Sequence, residues 1–184
     1  MEKETVQGSK SEKTKPLLIE KPPKNDIHIT SLAVGPITIS TKYDEQELKL
    51  LFPESEVEQY KISEDENEID RDHLVISSHD FRLYIYDSYD EKIGFVLAEG
   101  PSISTQFGAR IGDNFSKAFG SKANPSNLCV IPYEQAYLMC THPEFKTIGV
   151  SIGGGWETGD KIPQSSAELD HLKIEEIWWK PKNL

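Results

Sequence analysis

The chain has 184 residues, a formal net charge of -11 and two cysteines. That length suits one well-buried domain and is short for two. The acidic balance argues against nucleic-acid binding and against recruitment to anionic bilayers, and two cysteines are too few for a disulfide-built fold.

Residues 1–26 combine Lys, Glu, Ser and Thr with the pair Pro22 and Pro23, and their apolar island is limited to Leu17, Leu18 and Ile19. Such a segment buries too little surface to offset its ordering entropy, which predicts a disordered tether ahead of a single domain at 27–184. Six lysines stand against five acids there, so the acidity belongs to the folded part. The opening MEKETVQGSK has no apolar stretch behind its charges, so no signal peptide is expected within this sequence. No apolar run is long enough to predict a membrane-spanning helix.

From Ile27, IHITSLAVGPITIS has β-branched residues interrupted by Gly35 and Pro36, which predicts two short strands or a strand and a bend. Residues 43–52 change period: Asp44 is placed to cap a helix with Glu47 in a capping box, Leu48, Leu51 and Phe52 share a face, and Pro53 stops it. Residues 57–62 alternate weakly and read as a strand. The acidic SEDENEIDRD that follows lacks the glycine and alternating oxygen ligands of a calcium loop and reads as a solvated hairpin loop.

Residues 74–78 and 81–87 are the clearest strands. Phe81, Leu83 and Ile85 alternate with Arg82, Tyr84 and Tyr86, which predicts a core face and an opposite aromatic and basic stripe. That stripe is a candidate partner-binding surface, because exposed Tyr and Arg favour interfaces. Residues 88–91 read as a turn, and 93–98 as the next strand of an antiparallel meander.

A second short helix is predicted with Asp113 as its cap, Phe115, Ala118 and Phe119 as its buried face, and Gly120 as its stop; at barely two turns it needs a sheet to pack on. If residues 128–131 and 137–141 are the arms of a hairpin turning at Glu134 and Gln135, Cys129 and Cys140 sit directly opposite, with Cβ atoms about 4.5–5.5 Å apart. A disulfide, two buried thiols, or a metal site completed by His142 are the readings this leaves, in that order of preference; a disulfide implies an oxidising compartment. Residues 147–152 read as a strand and 153–169 as a long polar loop. Residues 173–179 read as a terminal strand, and the irregular spacing of Ile174, Ile177 and Trp178 predicts a bulge. Both halves read as a helix followed by strands. The expected fold is α+β: one antiparallel meander sheet with two short helices on one face, with a duplicated helix-plus-strands unit as its finer reading.

Chemistry-bearing motifs are sparse. In GGGWETGDK, Asp160 precedes Lys161 and no Ser or Thr follows, so a carboxylate stands where a phosphate would sit. Trp156 and Glu157 in that loop remain a candidate recognition tip. No G-x-S-x-G elbow occurs, and His28, His73, His79, His142 and His171 show no H-E-x-x-H or helical pairing. No catalytic residue, cofactor or metal is therefore expected.

At IGDNFSKAFG, at the Cys-bounded hairpin and at the ending GGGWETGDKIPQSSAELDHLKIEEIWWK, the chain resembles a family of uncharacterised bacterial envelope lipoproteins of enteric bacteria, regulated by the extracytoplasmic stress sigma factor. The resemblance covers residues 36–180. It implies a domain on the periplasmic side of the outer membrane that touches the membrane only through a lipid anchor absent from this chain, and it carries over no catalytic residues. By pattern, the helix-then-meander unit is also similar to small periplasmic lipoprotein folds related to assembly-machinery and β-lactamase-inhibitor proteins. The expected function is non-enzymatic binding of a protein or cell-wall component. An inhibitor or immunity protein acting on a basic enzyme is the alternative within binding, and a small hydrolase the alternative outside it.

Overall fold

The structure, a computed structural model, describes residues 26–60, 72–88, 90–132 and 136–182. The tether apart from Asp26, most of the acidic loop and the Glu134-Gln135 turn lie outside the described residues.

Alternating apolar residues build most of the strands. Along the meander, β4 (Glu56–Tyr60), β5 (His73–Ser77), β6 (Arg82–Asp87) and β7 (Ile93–Glu99) pair in sequence order, all antiparallel. A second run, β9 (Cys129–Val130), β10 (Leu138–Thr141), β11 (Ile148–Ile152) and β12 (Ile174–Trp179), does the same. The two runs join where β12 pairs β7, giving the order β4-β5-β6-β7-β12-β11-β10-β9. The terminal strand is thus central. Its bulge is real and falls at Glu175, because Ser151 faces Glu176 while Ile152 faces Ile174.

A single sheet does not account for the chain. β1 (Ile27–Ile29), β2 (Ala33–Val34), β3 (Ile37–Thr38) and β8 (Ile103–Thr105) form a separate four-stranded sheet in the order β3-β2-β1-β8. Its β1 and β8 pair in parallel, Ile27 to Ile103. Local periodicity cannot reveal such a pairing, since its two strands are 76 residues apart at His28 and Ser104.

The helices follow their caps. In α1 (Glu45–Leu51) the Asp44 side chain accepts the Glu47 N–H at 2.8 Å, as the sequence predicts, but the Glu47 carboxylate accepts from Lys42 N–H at 3.3 Å. In α2 (Phe115–Phe119) the cap is Asn114, one residue later than expected, because Asp113 is taken by the Arg110 N–H and by Lys117 Nζ at 2.6 Å. Gly120 closes α2 at a φ of 90°, which a side chain would resist. Two further helical segments were not expected. Pro125 opens α3 (Pro125–Leu128), so Leu128 ends a helix where a strand was expected, and Ser166–Leu169 forms a 3-10 turn within the presumed polar loop. Asp170, just after that turn, accepts from both the backbone N–H and the hydroxyl of Ser116 and so pins the loop to the start of α2.

The core lies on one face of the large sheet. Leu74, Ile76, Leu83, Ile85, Val96, Ala98, Ile177, Trp179, Val150 and Cys140 share it by register, and Leu48 of α1, Phe115 of α2 and Ile29 of the small sheet join the same cluster. Both expected helices therefore contribute to one core. Trp179 is fully buried between Val96 and Ile148, and its indole N–H donates to Ser31 carbonyl at 3.4 Å, tying the small sheet to the large one. Deleting such a ring from a core costs roughly 3–5 kcal/mol.

Candidate binding face

Strand alternation sends Leu83 and Ile85 into the core and turns Arg82, Tyr84 and Tyr86 to the opposite face. Register carries that face across the sheet: Val75, Tyr84, Leu97, Trp178 and Gly149 stand in one row. Tyr60, His73, Tyr86 and Phe95 stand in the next. Val75 and Trp178 are only 5% and 7% exposed, yet neither belongs to the core cluster. They are buried on this second face.

Aromatic rings run across it without a break. Tyr60 stacks on His73 at 5.7 Å, His73 meets Tyr86 at 5.2 Å, Tyr86 meets Phe95 at 5.8 Å, and Phe95 stacks on Trp178 at 6.4 Å. Such offset and tilted pairs are mutually favourable and hold the rings in place. The indole of Trp178 lies over Gly149, where a Cβ would run into it and come within 2.6 Å of the Cys140 carbonyl oxygen. Glycine at 149 is what lets this ring settle onto the strand.

Beside that ring a groove of about 980 Å³ opens over β7, β12, β11, β10 and β9. Phe95, Trp178, Met139, Val130 and Thr141 line it, with Tyr86 and Asp87 at one end, and the exposed Lys146, Lys180 and Lys182 also border it. The Trp178 Nε1 is buried there with no acceptor. Buried donors are nearly always paired, so this one stands out.

A third row on the same face is ionic. Arg82 Nη1 donates to Tyr84 Oη at 3.5 Å, Tyr84 Oη donates to Glu99 Oε2 at 3.3 Å, and Glu176 faces Ser151 by register and feels the charge of Glu99. Burial pushes the Glu176 carboxyl above the ordinary carboxylate range; the Ser151 hydroxyl opposes this, and Glu99 and Glu175 add to it. The face therefore divides into an acidic strip and an aromatic groove bordered by lysines.

The other candidates lie elsewhere. Trp156 packs against the core edge, its Nε1 donating to Gly153 carbonyl at 3.3 Å and its backbone N–H to Ala136 carbonyl at 3.2 Å, so this ring folds back onto its own loop. Glu157 is exposed, with its N–H on Asp160. Cys129 and Cys140 face each other in register and are disulfide-bonded, which rules out both the two unpaired buried thiols and the metal site with His142. The His142 ring instead stacks with Phe107 at 4.5 Å and Phe145 at 4.9 Å, and its Nδ1 accepts the Glu144 N–H. Burial among these rings pushes its pKa down, with Glu144 pulling the other way. Among the described residues no group of three His, Cys, Asp or Glu stands in metal-holding geometry.

Sequence reasoning missed Phe95, Trp178, Met139, Val130 and the three lysines. One signal was present: adjacent residues of a strand point to opposite faces, so Trp178 and Trp179 cannot both be core.

Residues 23–181 match the model of a family described as a protein of unknown function, DUF1131. The chain belongs to that family. The DUF1131 chain is similar in fold to the crystal structure of the uncharacterized protein yfeY from Escherichia coli, with a TM-score of 0.59 and 18% identity over 83% of this chain and 99% of that one. None of the curated proteins compared matches it. For this DUF1131 chain the likeness to yfeY speaks to the fold, and the candidate face described above rests on its own geometry.

Proposed function

We propose that this domain is a non-enzymatic binding module of the bacterial envelope, docking a protein or cell-wall partner on the open face of its large sheet. The observation that carries the reading is the unbroken row of rings from Tyr60 to Trp178 on the face away from the core. Aromatic residues concentrated outside a core are what interfaces use as anchors. The Cys129–Cys140 disulfide supports an oxidising compartment. Together with the composition of residues 1–26, it fits a tethered domain in such a compartment; a stress-regulated lipoprotein on the periplasmic side of the outer membrane is what the resemblance to the envelope lipoprotein family implies. In the same reading, α1 with β4 to β7 and α2 with β9 to β12 are two copies of one helix-plus-strands unit, meeting where β7 pairs β12.

The test is pull-down from envelope extract and co-sedimentation with isolated cell-wall sacculi, using the native domain and a Tyr84→Ala, Tyr86→Ala variant. Truncating interface anchors costs about 2 kcal/mol or more, so the variant is expected to bind at least roughly thirtyfold more weakly. A partner held equally by both proteins would refute this face as its site. The exposed Glu56 and Glu58 of edge strand β4, on the same face as Glu99, favour a second reading, an inhibitor of a basic enzyme.

A further inference from the structure

The groove beside Trp178 is sorted along its length, and β11 serves as the ruler. Ser151 stands level with Met139, Gly149 with Trp178, and Thr147 with Lys180, whose N–H donates to the Thr147 carbonyl at 2.8 Å. Each level is about 6–7 Å from the next, two residues along a strand. Val130, paired with Met139 and 61% exposed, extends the apolar end. Lys146, next to Thr147, and Lys182, just beyond Lys180, join the opposite end. Three exposed lysines thus meet at one place in a chain of net charge -11, and Asp87, near Tyr86, is the one carboxylate among the described residues of the lining.

An occupant that matches this sorting is apolar at one end and anionic at the other. An extended peptide turns every second side chain away from the groove, and a glycan would lay hydroxyl groups on Val130 and Met139. A single acyl chain with an anionic head has the sorting built in. The groove's volume of about 980 Å³ lies at the top of the range of roughly 300–1,000 Å³ that small-molecule sites occupy. Between its two ends the Trp178 ring, stacked on Phe95, offers a flat apolar surface for the middle of such a chain.

We propose that this groove binds one molecule of a single-chain anionic lipid of the fatty-acid type. Its carboxylate lies among Lys146, Lys180 and Lys182, and its tail runs over the Trp178 ring to Met139 and Val130. Charge complementarity selects the head and apolar burial holds the tail. The assignment goes beyond the partner reading above and does not depend on it.

The experiment is equilibrium dialysis of the intact chain against laurate below its micelle-forming concentration, with octanoate, decanoate and dodecyltrimethylammonium as comparisons and phosphatidylglycerol vesicles as a separate sedimentation arm. Saturable one-to-one binding of laurate that weakens with salt is expected. Affinity should rise by about twofold per added methylene, half-burial in an open groove being the reason for less than the roughly fourfold of full burial. The cationic amphiphile, with the same tail length, should bind at least about tenfold more weakly than laurate. Changing Lys146, Lys180 and Lys182 together to Gln should weaken laurate by roughly tenfold, and Val130→Glu, at an exposed position, should weaken it further while the thermal transition stays cooperative. No laurate binding, equal binding of laurate and the cationic amphiphile, or laurate binding unchanged in both variants would overturn the assignment. So would sedimentation with vesicles in the absence of laurate binding, which would mark a membrane surface as the occupant. Envelope capture through Tyr84 and Tyr86 is a separate readout, so either reading can fail while the other stands.

Discussion

Reducing the Cys129–Cys140 bond should cost a definite amount of stability. The bond closes a loop of sequence separation 11, short enough that its contribution is moderate. Chain-entropy arithmetic for a loop of that length gives about 2.8 kcal/mol near 25 °C, by restricting the unfolded ensemble. Reduction removes no atoms, since both sulfur atoms remain and move apart to van der Waals contact, so no cavity term is added, as it would be for alanine replacements. Urea denaturation of the native and dithiothreitol-treated protein, with free thiols counted in each, reads the difference. Freed of the cross-link, the unfolded chain expands and the denaturant slope rises, so extrapolated free energies must be compared rather than midpoints. The effect should also be local. Strand β9 is two residues long and held to β10 at Val130 to Met139, so the Val130 amide should exchange faster after reduction. A loss of less than about 0.5 kcal/mol would refute the argument and mean that the unfolded chain keeps these strands close without the bond.

Two further outcomes follow from particular atoms. Gly149→Ala places a methyl against the Trp178 indole and the Cys140 carbonyl, so either the strand shifts or the ring is expelled; a loss of about 1–3 kcal/mol in a melt, with a change in tryptophan emission, is expected, and an unchanged melt with unchanged emission would contradict the packing. For Glu176, whose carboxyl burial raises above the ordinary 4.5, the folded state binds more protons than the unfolded one between those two values. Its contribution is therefore present below the ordinary pKa and lost as pH rises through the folded one. Glu176→Gln should match the native protein in acid and become the more stable of the two toward neutrality, and a stability difference that does not vary with pH would refute that sign.

What the sequence revealed was whatever repeats locally. The Leu83 and Ile85 alternation, the Asp44 cap, the Gly120 stop and the Cys129 to Cys140 register are all set within a dozen residues, and each was readable. The helix cap at Asn114 was misread by one because Asp113 and Asn114 are adjacent and cap about equally well by type; only the fold shows that Arg110 and Lys117 occupy Asp113. Long-range pairing was not readable at all. The parallel β1 and β8 contact and the insertion of β12 between β7 and β11 are choices among many strands of similar composition. The groove was hidden for the same reason, since Phe95, Met139 and Trp178 come from β7, β10 and β12, which the β7 to β12 junction joins into one sheet. Arg82, Tyr84 and Tyr86 were legible as a stripe because one strand supplies all three.

The adjacent tryptophans show how this fold separates its two tasks. Trp179 faces Val96 and Ile148 in the core and reaches the small sheet through Ser31, so its indole is committed to holding layers together. Trp178, one residue earlier, faces the other way, outside the core cluster, with Gly149 beneath it and an unused N–H. A core face that already gathers both helices and the small sheet does not need a second aromatic layer for its own stability. The rings stand in an unbroken row on the opposite face, next to lysines that a strongly acidic chain has gathered at one groove, and it is this arrangement on which the proposed contact with a partner rests. In the proposed reading, changes at Tyr84 and Tyr86 act mainly on binding, while changes at Trp179, Leu83 and Ile85 act mainly on folding. It is this separation that makes the binding face testable in a protein that remains folded.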